Sequence, residues 1–217
     1  MDASDWDARY EGADLVWSAG PNAWVEQIVS PITPGLALDV AAGEGRHALW
    51  LAERGWRVIA SDFSPVAVER MAKLADARLG ARRSSLAAVV GDATAPAPVS
   101  DADLVLLSYL HLEDAPWRAA LDSAVAALRP VGMLLIIGHA RRNLAEGVGG
   151  PQDPRLLRDP ETVAADLDPL PVEVVSSQMR YRSVATDQGE RQALDTVVVA
   201  RALSQSASRV AATAGTR

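Results

Sequence analysis

LALDVAAGEGRHALWLAERGWRVIASD, the stretch from Leu36 to Asp62, decides the fold of this 217-residue chain. Its apolar opening predicts a strand that ends on the carboxylate of Asp39 and then turns through a segment with two glycines. A helix is predicted over residues 46–54, because apolar side chains recur along it and Gly55 is a typical helix stop. A second apolar, β-branched run then leads to Asp62. The stretch therefore predicts a strand, a glycine turn, a helix and a second strand, with an acid at each strand end.

The glycine turn is suited to hold a ligand. Gly43 and Gly45 have no side chains, so the backbone can come close to a ligand that a Cβ atom would block. The first amides of the helix that follows Gly45 have no partners within that helix, and they point toward the same place. We therefore expect a ligand at this turn.

The rest of the chain continues the alternation of strands and helices. Further strands are predicted over residues 86–90, 104–107 and 133–137, and helices over residues 65–79, 116–128 and from 160 onward. The end differs, because residues 172–185 and 193–202 are strand-like runs joined by the hairpin signal DQGE. Five strands alternating with helices predict a Rossmann-like, doubly wound α/β sheet, mostly parallel, that closes with an antiparallel β-hairpin.

The chain divides into three predicted segments. Residues 1–30 form an N-terminal aromatic helical arm, which either packs on the sheet edge or acts as a lid over a ligand pocket. In the lid interpretation, Trp17 is a candidate substrate-binding residue. Residues 31–203 form the ligand-binding domain. Residues 204–217 are small and polar, and we expect them to be a disordered tail.

Composition excludes several classes of function. The net charge is −7 and there are no cysteines, so neither a polyanion partner nor a disulfide or cysteine–zinc site is expected. No apolar run approaches the length of a membrane span. We expect a cytoplasmic protein without nucleic acid, membrane or metal partners, and the sequence leaves its oligomeric state open.

Polar residues follow each of the five predicted parallel strands. They are Asp39, Asp62, Asp92, Ser108 and His139. Ligands of open α/β sheets bind at the carboxyl ends of the strands. Five polar strand ends on one edge are therefore the main functional signal of the sequence.

A dinucleotide fingerprint is formally present at the same turn. Residues 43–48 read GEGRHA, which satisfies G-x-G-x-x-A, and Asp62 follows at the expected distance. A pyrophosphate, however, would lie beside Asp39 and Glu44 with only Arg46 to offset their charge. A ligand with a positive charge near the first turn and a ribose near Asp62 fits better.

The combination of motifs resembles class I S-adenosylmethionine-dependent methyltransferases. The matching residues are DVAAGEG at 39–45, DFSP at 62–65, GDA at 91–93 and the closing hairpin, so the resemblance extends to about residue 203. More narrowly, WDARY at 6–10, GEGRHA at 43–48 and DFSP are similar to the tellurite-resistance and thiopurine methyltransferase group. The resemblance implies a seven-stranded sheet, S-adenosylmethionine as cofactor, S-adenosylhomocysteine as product and a small-molecule acceptor.

The resemblance also assigns cofactor contacts. It places Asp39 near the ammonium group, the glycines under the methionyl part, Asp62 at both ribose hydroxyls, Phe63 against the adenine, and Asp92 at the adenine amino group. The predicted cofactor-binding residues are Asp39, Ala41, Gly43, Gly45, Asp62, Phe63, Ser64, Asp92, Ala93 and Ser108. Ala41 stands where the family often has glycine.

Candidates for the acceptor side are fewer. His139 is the tentative catalytic residue, because its imidazole follows the fifth strand and can take a proton near neutral pH; a structural loop histidine is the alternative. His111 belongs either to the core or to the pocket. Arg182, which shares a strand face with Arg180, either holds an anionic acceptor or lies on a solvated face.

These observations favour a methyltransferase that transfers a methyl group to a small molecule by in-line displacement. Two alternatives stay open. One is an NAD(P)-dependent oxidoreductase, in which the G-x-G-x-x-A segment would bind the dinucleotide. The other is a regulatory protein that binds S-adenosylmethionine without catalysing transfer.

Overall fold

The computed structural model describes residues 7, 20–187 and 189–204. The helices in the continuous part are α1 (Ala23–Val29), α2 (Arg46–Glu53), α3 (Pro65–Arg78), α4 (Asp114–Ala126), α5 (Asn143–Glu146) and α6 (Pro160–Leu167). The strands are β1 (Leu36–Val40), β2 (Arg57–Asp62), β3 (Leu86–Val90), β4 (Ala102–Ser108), β5 (Leu128–His139), β6 (Val172–Thr186) and β7 (Gly189–Ala202). Short 3₁₀ turns occupy Gly80–Ser85 and Pro154–Leu156.

The strands form one seven-stranded sheet in the order β3-β2-β1-β4-β5-β7-β6. The first five strands pair in parallel, and β7 runs antiparallel to both β5 and β6. The predicted fold class is therefore confirmed, including the antiparallel hairpin at the end. The carboxyl ends of β1, β2, β4 and β5 consequently meet at one edge of the sheet.

Two apolar layers cover the two faces of the sheet. On one face α1, α2 and α3 bury a cluster that includes Trp50, Trp56 and Met71. On the other face α4 and α6 bury a cluster that includes Trp117 and Val163. The central strands are apolar on both sides, as expected for parallel strands with helices on both faces.

The fifth strand begins earlier than the sequence predicts. The run Pro130–Val131–Gly132 reads as a stop between a helix and a strand that starts at Met133, but β5 already starts at Leu128. The pairing with β4 shifts register between Ala102 and Leu104, and Val131 takes a left-handed φ of 57°. The irregular segment bulges out of the ladder, which is how a proline without an amide hydrogen is accommodated in a strand.

The hairpin reaches past the carboxyl end of β5. β7 pairs with β5 only from Asp195 to Arg201, so the part of β7 before Asp195 pairs with β6 alone. Of the predicted arm, α1 packs into the core with Val25 and Val29 fully buried, whereas residues 1–6, 8–19 and the tail from residue 205 lie outside the described residues. No helix in the described ranges is both long and apolar enough to cross a bilayer.

Candidate active site

Asp39 is a buried carboxylate that has no hydrogen-bond partner among the described residues. Its side chain lies at 1% exposure, one residue before the end of β1, so the strand runs one residue further than predicted. Neither carboxylate oxygen accepts a hydrogen bond from the described residues. Burial raises the pKa of Asp39 to about 7, and the charge of Arg46 and the nearby amide of Ala48, which lies outside hydrogen-bond geometry, offset only part of that effect. A buried carboxylate of this kind is costly unless a cation pairs with it.

The turn after β1 holds three residues in the left-handed conformation. Ala41, Gly43 and Gly45 have φ values of 54°, 56° and 80°. Gly45 caps α2 without a side-chain hydrogen bond, and a Cβ atom there would lie 2.4 Å from Cγ of Met71 on α3. The glycine at position 45 is therefore required by backbone conformation and by the packing of α2 against α3.

Replacing Ala41 by glycine is expected to raise the free energy of unfolding by about 0.5–1 kcal/mol, because the strain of a left-handed alanine exceeds the entropy that glycine adds to the unfolded chain. Ala42, the next residue, is not among the positive-φ positions, so Ala42→Gly is the matched control and should be destabilising. Urea unfolding of the two variants measures both changes. Equal losses in the two would contradict strain at position 41.

Asp62 organises the turn from the end of β2. Its Oδ2 accepts a hydrogen bond from the amide of Gly43 at 2.8 Å, and its Oδ1 accepts one from the amide of Ser64 at 3.0 Å. Burial raises the pKa of Asp62, and these two amides oppose that shift. The carboxylate assigned to the ribose therefore also holds the glycine turn in place.

Ser64 begins α3 as the sequence predicts. Its Oγ accepts a hydrogen bond from the amide of Ala67 at 3.0 Å and donates one to the carboxylate of Asp7. Pro65 is the first helical residue. Phe63, between the acid and the cap, is half-buried.

Asp92 and Ala93 lie at the outer side of this edge. Asp92 is exposed, and its Oδ1 accepts hydrogen bonds from the amide and the hydroxyl of Thr94, both at 2.8 Å. Ala93 packs on the apolar cluster of α4 and α6. The contacts of Asp92 within the described residues are those of an ordinary turn, so its adenine contact stays a prediction.

The end of β4 carries a free hydroxyl and a strained tyrosine. The Oγ atom of Ser108 is buried and has no hydrogen-bond partner among the described residues. Tyr109 follows with a left-handed φ of 56°. Its phenol donates to Asp195 Oδ2 at 2.9 Å and accepts from the side-chain amide of Asn22 at 2.8 Å. Burial and the neighbouring Asp195 raise the pKa of Tyr109, so the phenol keeps its proton.

Four side chains meet around Asp195, and together with it they form what we call the Asp195 cluster: Trp24, Tyr109, His139, Arg182 and Asp195. Asp195 is fully buried on β7, and it accepts hydrogen bonds from Trp24 Nε1 at 3.0 Å and Arg182 Nε at 2.8 Å. His139 lies directly opposite on β5, with Nδ1 3.5 Å from Asp195 Oδ1. The predicted candidates His139 and Arg182 are thus brought together by an acid that the prediction omitted.

Arg46 connects the turn with the Asp195 cluster. Its guanidinium lies 5.7 Å from the centroid of the Tyr109 ring. Burial lowers the pKa of Arg46, and the charges of Asp39 and Asp195 are both close enough to oppose that shift. The turn and the cluster therefore belong to one continuous site at the carboxyl edge of the sheet.

The remaining candidates are placed as follows. The His111 ring stacks on His139 at 5.7 Å between centroids, and burial lowers its pKa to about 4. Arg180 lies over Trp24 and contacts Gln27 of α1, on the same strand face as Arg182. His47 is buried in α2, where burial holds its pKa well below the usual value. Trp17 lies outside the described residues.

Tyr109 and Asp195 are the site residues that sequence analysis missed. The available signal for Asp195 was its charge, since it is the single charged residue in the apolar run 193–200, ALDTVVVA. For Tyr109 the signal was its place directly after Ser108, at a strand end that was already a candidate. Both residues were overlooked because key contacts join distant parts of the chain: Tyr109 is 86 residues and Trp24 is 171 residues from Asp195.

Comparisons with known proteins agree with this geometry. The family model described as a methyltransferase domain matches residues 37–132, which span β1 to the first part of β5. No curated protein sequence matches the chain. Three solved structures have similar folds.

One similar structure comes from work on the conversion of a disulfide bond into a thioacetal group during echinomycin biosynthesis. It has a TM-score of 0.75 and 22% sequence identity, and the match covers 100% of this chain and 99% of that one. The glycopeptide N-methyltransferase MtfA, in complex with S-adenosylmethionine, has a TM-score of 0.66 and 18% sequence identity. That match covers 87% of this chain and 88% of the MtfA chain. TehB from Haemophilus influenzae has a TM-score of 0.67 and 13% identity over 93% and 68%. The resemblance of this chain to class I S-adenosylmethionine-dependent methyltransferases is thereby confirmed, whereas the likeness to TehB at 13% identity is one of fold.

Proposed function

We propose that this chain is an S-adenosylmethionine-dependent methyltransferase that methylates a small-molecule acceptor by in-line displacement. The observation that carries the proposal is the Asp39 carboxylate, which is buried next to a left-handed turn and has no hydrogen-bond partner in the ranges that the structure describes. A ligand with an ammonium group would supply the missing cation, and S-adenosylmethionine has one. The match of residues 37–132 to a methyltransferase domain supports the same conclusion.

The residues present fit the cofactor. Asp39 would pair with its ammonium group, and the free Oγ of Ser108 offers a further hydrogen bond. Asp62 uses one hydrogen bond on each carboxylate oxygen, so both oxygens keep lone pairs for ribose hydroxyls. When bound, the cofactor supplies an activated methyl group and leaves with both electrons of the broken carbon–sulfur bond.

The acceptor would enter beside His139. A crevice there is lined by apolar residues such as Leu110, Leu156 and Trp117, together with His111 and His139. Because the leaving group is already activated, the chain's main contributions are alignment of the acceptor and exclusion of water. A base is needed only when the acceptor carries a proton that it must lose, as a hydroxyl or an ammonium does.

His139→Ala is expected to reduce turnover of a hydroxyl or amine acceptor about 100-fold, because His139 would take the acceptor's proton. Cofactor affinity should stay close to that of the wild type, since the cofactor contacts proposed above lie elsewhere. A thiolate acceptor should be methylated nearly as fast by the variant, because no proton has to move. Unchanged turnover of a hydroxyl acceptor, or weak cofactor binding, would assign His139 a structural role.

The test of the function begins with the nucleotide. Calorimetry with S-adenosylmethionine, S-adenosylhomocysteine, NAD and NADP on the same preparation is expected to give binding of the first two alone. Binding of NAD or NADP would replace the proposal by an oxidoreductase. A screen of hydroxyl, amine and thiol acceptors should then give S-adenosylhomocysteine release with at least one class. Tight binding without release for any acceptor would favour a regulatory protein.

A further inference from the structure

We propose that Asp195 is the positioning residue of the acceptor side: it holds the neutral His139 ring with its proton on Nδ1, so that Nε2 is the basic nitrogen presented to the acceptor. The proposal rests on the proposed function for its catalytic meaning. The arrangement of Asp195 and His139 is itself a structural claim that can be tested without an acceptor.

The two oxygens of Asp195 are used unequally. Oδ2 accepts three hydrogen bonds, from Arg182 Nε at 2.8 Å, Tyr109 OH at 2.9 Å and Trp24 Nε1 at 3.0 Å. Within the described part of the chain, Oδ1 accepts only a long contact from the second guanidinium nitrogen of Arg182 at 3.4 Å. The donors to Oδ2 come from α1, β6 and the segment after β4, so the carboxylate is fixed in orientation while Oδ1 keeps accepting capacity.

His139 is placed to use that capacity. Its Nδ1 is buried, lies 3.5 Å from Asp195 Oδ1 and has no hydrogen-bond partner among the described residues. Asp195 is fully buried, so water does not compete for Oδ1. A proton on Nδ1 would face a carboxylate, whereas a lone pair on Nδ1 would face the same negative charge and be repelled. The geometry therefore favours the Nδ1–H tautomer.

The glycine-rich loop packs against the His139 ring on the side away from Asp195. Gly150 has a left-handed φ of 77°, and a Cβ atom there would lie 2.5 Å from Cδ2 and 3.0 Å from Nε2 of the ring. The loop is tied to β7 by Asn143, whose side chain accepts from the amide of Leu194 and donates to the carbonyl of Gly149. The ring is thus held between Asp195 on the Nδ1 side and a backbone that approaches Nε2 without a side chain.

The other titratable groups near the ring are less suited to take a proton. The Tyr109 phenol is committed as a donor to Asp195, and its pKa is raised by burial and by that carboxylate. Burial, His139 and Arg158 together lower the pKa of the stacked His111 to about 4, and the charge of Asp195 offsets only part of that effect. For His139 the charge of Asp195 is the main effect that opposes the lowering of its pKa by burial, while Arg182 adds to that lowering.

In the proposed step the acceptor's heteroatom would bond to the methyl carbon as the carbon–sulfur bond breaks and its electron pair leaves with sulfur, and the acceptor's proton would pass to His139 Nε2. The ring then carries a proton on each nitrogen, and the Nδ1 proton faces Oδ1 of Asp195. The resulting imidazolium is stabilised by a buried carboxylate, which is the role of a positioning acid. Release of the Nε2 proton to water restores the starting tautomer.

The first measurement uses the wild-type protein alone. Long-range proton–nitrogen NMR spectra of the three histidines identify which nitrogen of each neutral ring carries the proton, with His47→Gln and His111→Gln used for assignment. The expected result is Nδ1–H for His139. An Nε2–H tautomer in the wild type overturns the proposal, whatever any variant does.

The second measurement compares Asp195→Asn with Asp166→Asn. The three donors to Oδ2 should retain the asparagine oxygen, which turns the amide NH₂ toward His139 Nδ1 and reverses the tautomer to Nε2–H. The pKa of His139 should fall by about 1 unit, because a carboxylate within a few ångströms is lost. Asp166 is a matched control, since it also accepts from a tryptophan, Trp117 Nε1 at 2.9 Å, and faces Arg158 at 3.7 Å. Asp166→Asn should leave the tautomer and pKa of His139 unchanged.

An independent variant covers the case in which Asp195→Asn does not fold. Arg182→Gln removes the positive charge that lowers the pKa of His139, so that pKa should rise while the Nδ1–H tautomer is kept. A falling pKa, or identical values in the wild type and Asp195→Asn, would contradict the proposal. Calorimetry with S-adenosylhomocysteine on the same samples separates the two levels: failure to bind refutes the proposed function, whereas normal binding with the wrong tautomer refutes the role of Asp195 alone.

Discussion

Asp39→Asn is expected to remove tight cofactor binding and, in the same molecule, to stabilise the folded protein above pH 7. The loss of a charge-assisted contact to the ammonium group should weaken binding of S-adenosylhomocysteine on the order of 100-fold. The gain in stability follows from burial of the carboxylate without a partner. Calorimetry and urea unfolding at pH 8 measure the two effects.

The pH dependence of the wild type has a definite sign. Burial raises the pKa of Asp39 from 3.8 to about 7, so the folded state holds the proton more tightly than the unfolded state does. Stability from this group is therefore fully present below pH 4, falls as pH rises, and is lost above pH 7. The decrease has an upper limit of roughly 4 kcal/mol, and Asp39→Asn should lack it. Cofactor affinity should change in the opposite direction, rising with pH until Asp39 is ionised.

Asp103 is the matched control for Asp39. Burial alone would raise its pKa, but the amide of Leu36 and the guanidinium of Arg129 together hold it below the usual value. Asp103 thus contributes stability above its unfolded pKa, and that stability is lost as pH falls. Asp103→Asn should be destabilising at pH 8 without affecting cofactor affinity. If Asp39→Asn were also destabilising at pH 8 and kept the pH dependence of the wild type, that result would show that Asp39 has a partner in the folded state.

The parts of the fold that could be predicted depend on neighbours in sequence. The glycine turn, the Ser64 cap with Pro65, and the alternation of strands and helices are each encoded within a few residues. The start of β5 was missed for the same reason, because Pro130 and Gly132 are strong local stop signals. Whether a strand continues through them is decided by its pairing with β4, which the local sequence does not contain.

The acceptor side could be predicted only in part. The end of a strand identified His139, but its meaning depends on Asp195, which is placed opposite by the antiparallel pairing of β7 with β5. Trp24 reaches the same carboxylate from 171 residues away. Such contacts arise from the packing of elements that are distant in the sequence. Their one sign in the sequence is an acidic residue inside an apolar run.

Asp62→Ala is expected to have the opposite effect on stability from Asp39→Asn, although both acids belong to adjacent strands at one sheet edge. Asp62 accepts the amide hydrogens of Gly43 and Ser64, and its removal would leave both amides without that acceptor inside the turn. The expected loss is about 2–4 kcal/mol of unfolding free energy. Urea unfolding at pH 8 measures it.

The same substitution should weaken S-adenosylhomocysteine binding by about tenfold to a few hundredfold, through lost ribose contacts and a loosened turn. Asp92→Ala is the control at the next strand end, because the Asp92 side chain is exposed and bonds only to Thr94 within the described residues. The stability of this variant should change by less than about 1 kcal/mol. Wild-type affinity in Asp62→Ala would refute the ribose contact, and wild-type stability would refute the role of Asp62 in the turn. A loss of both would mean that one carboxylate shapes the turn and binds the ligand. The Asp62 carboxylate would then stabilise the folded protein in addition to binding the cofactor. The Asp39 carboxylate would instead destabilise the folded protein, and only the bound cofactor would offset that loss.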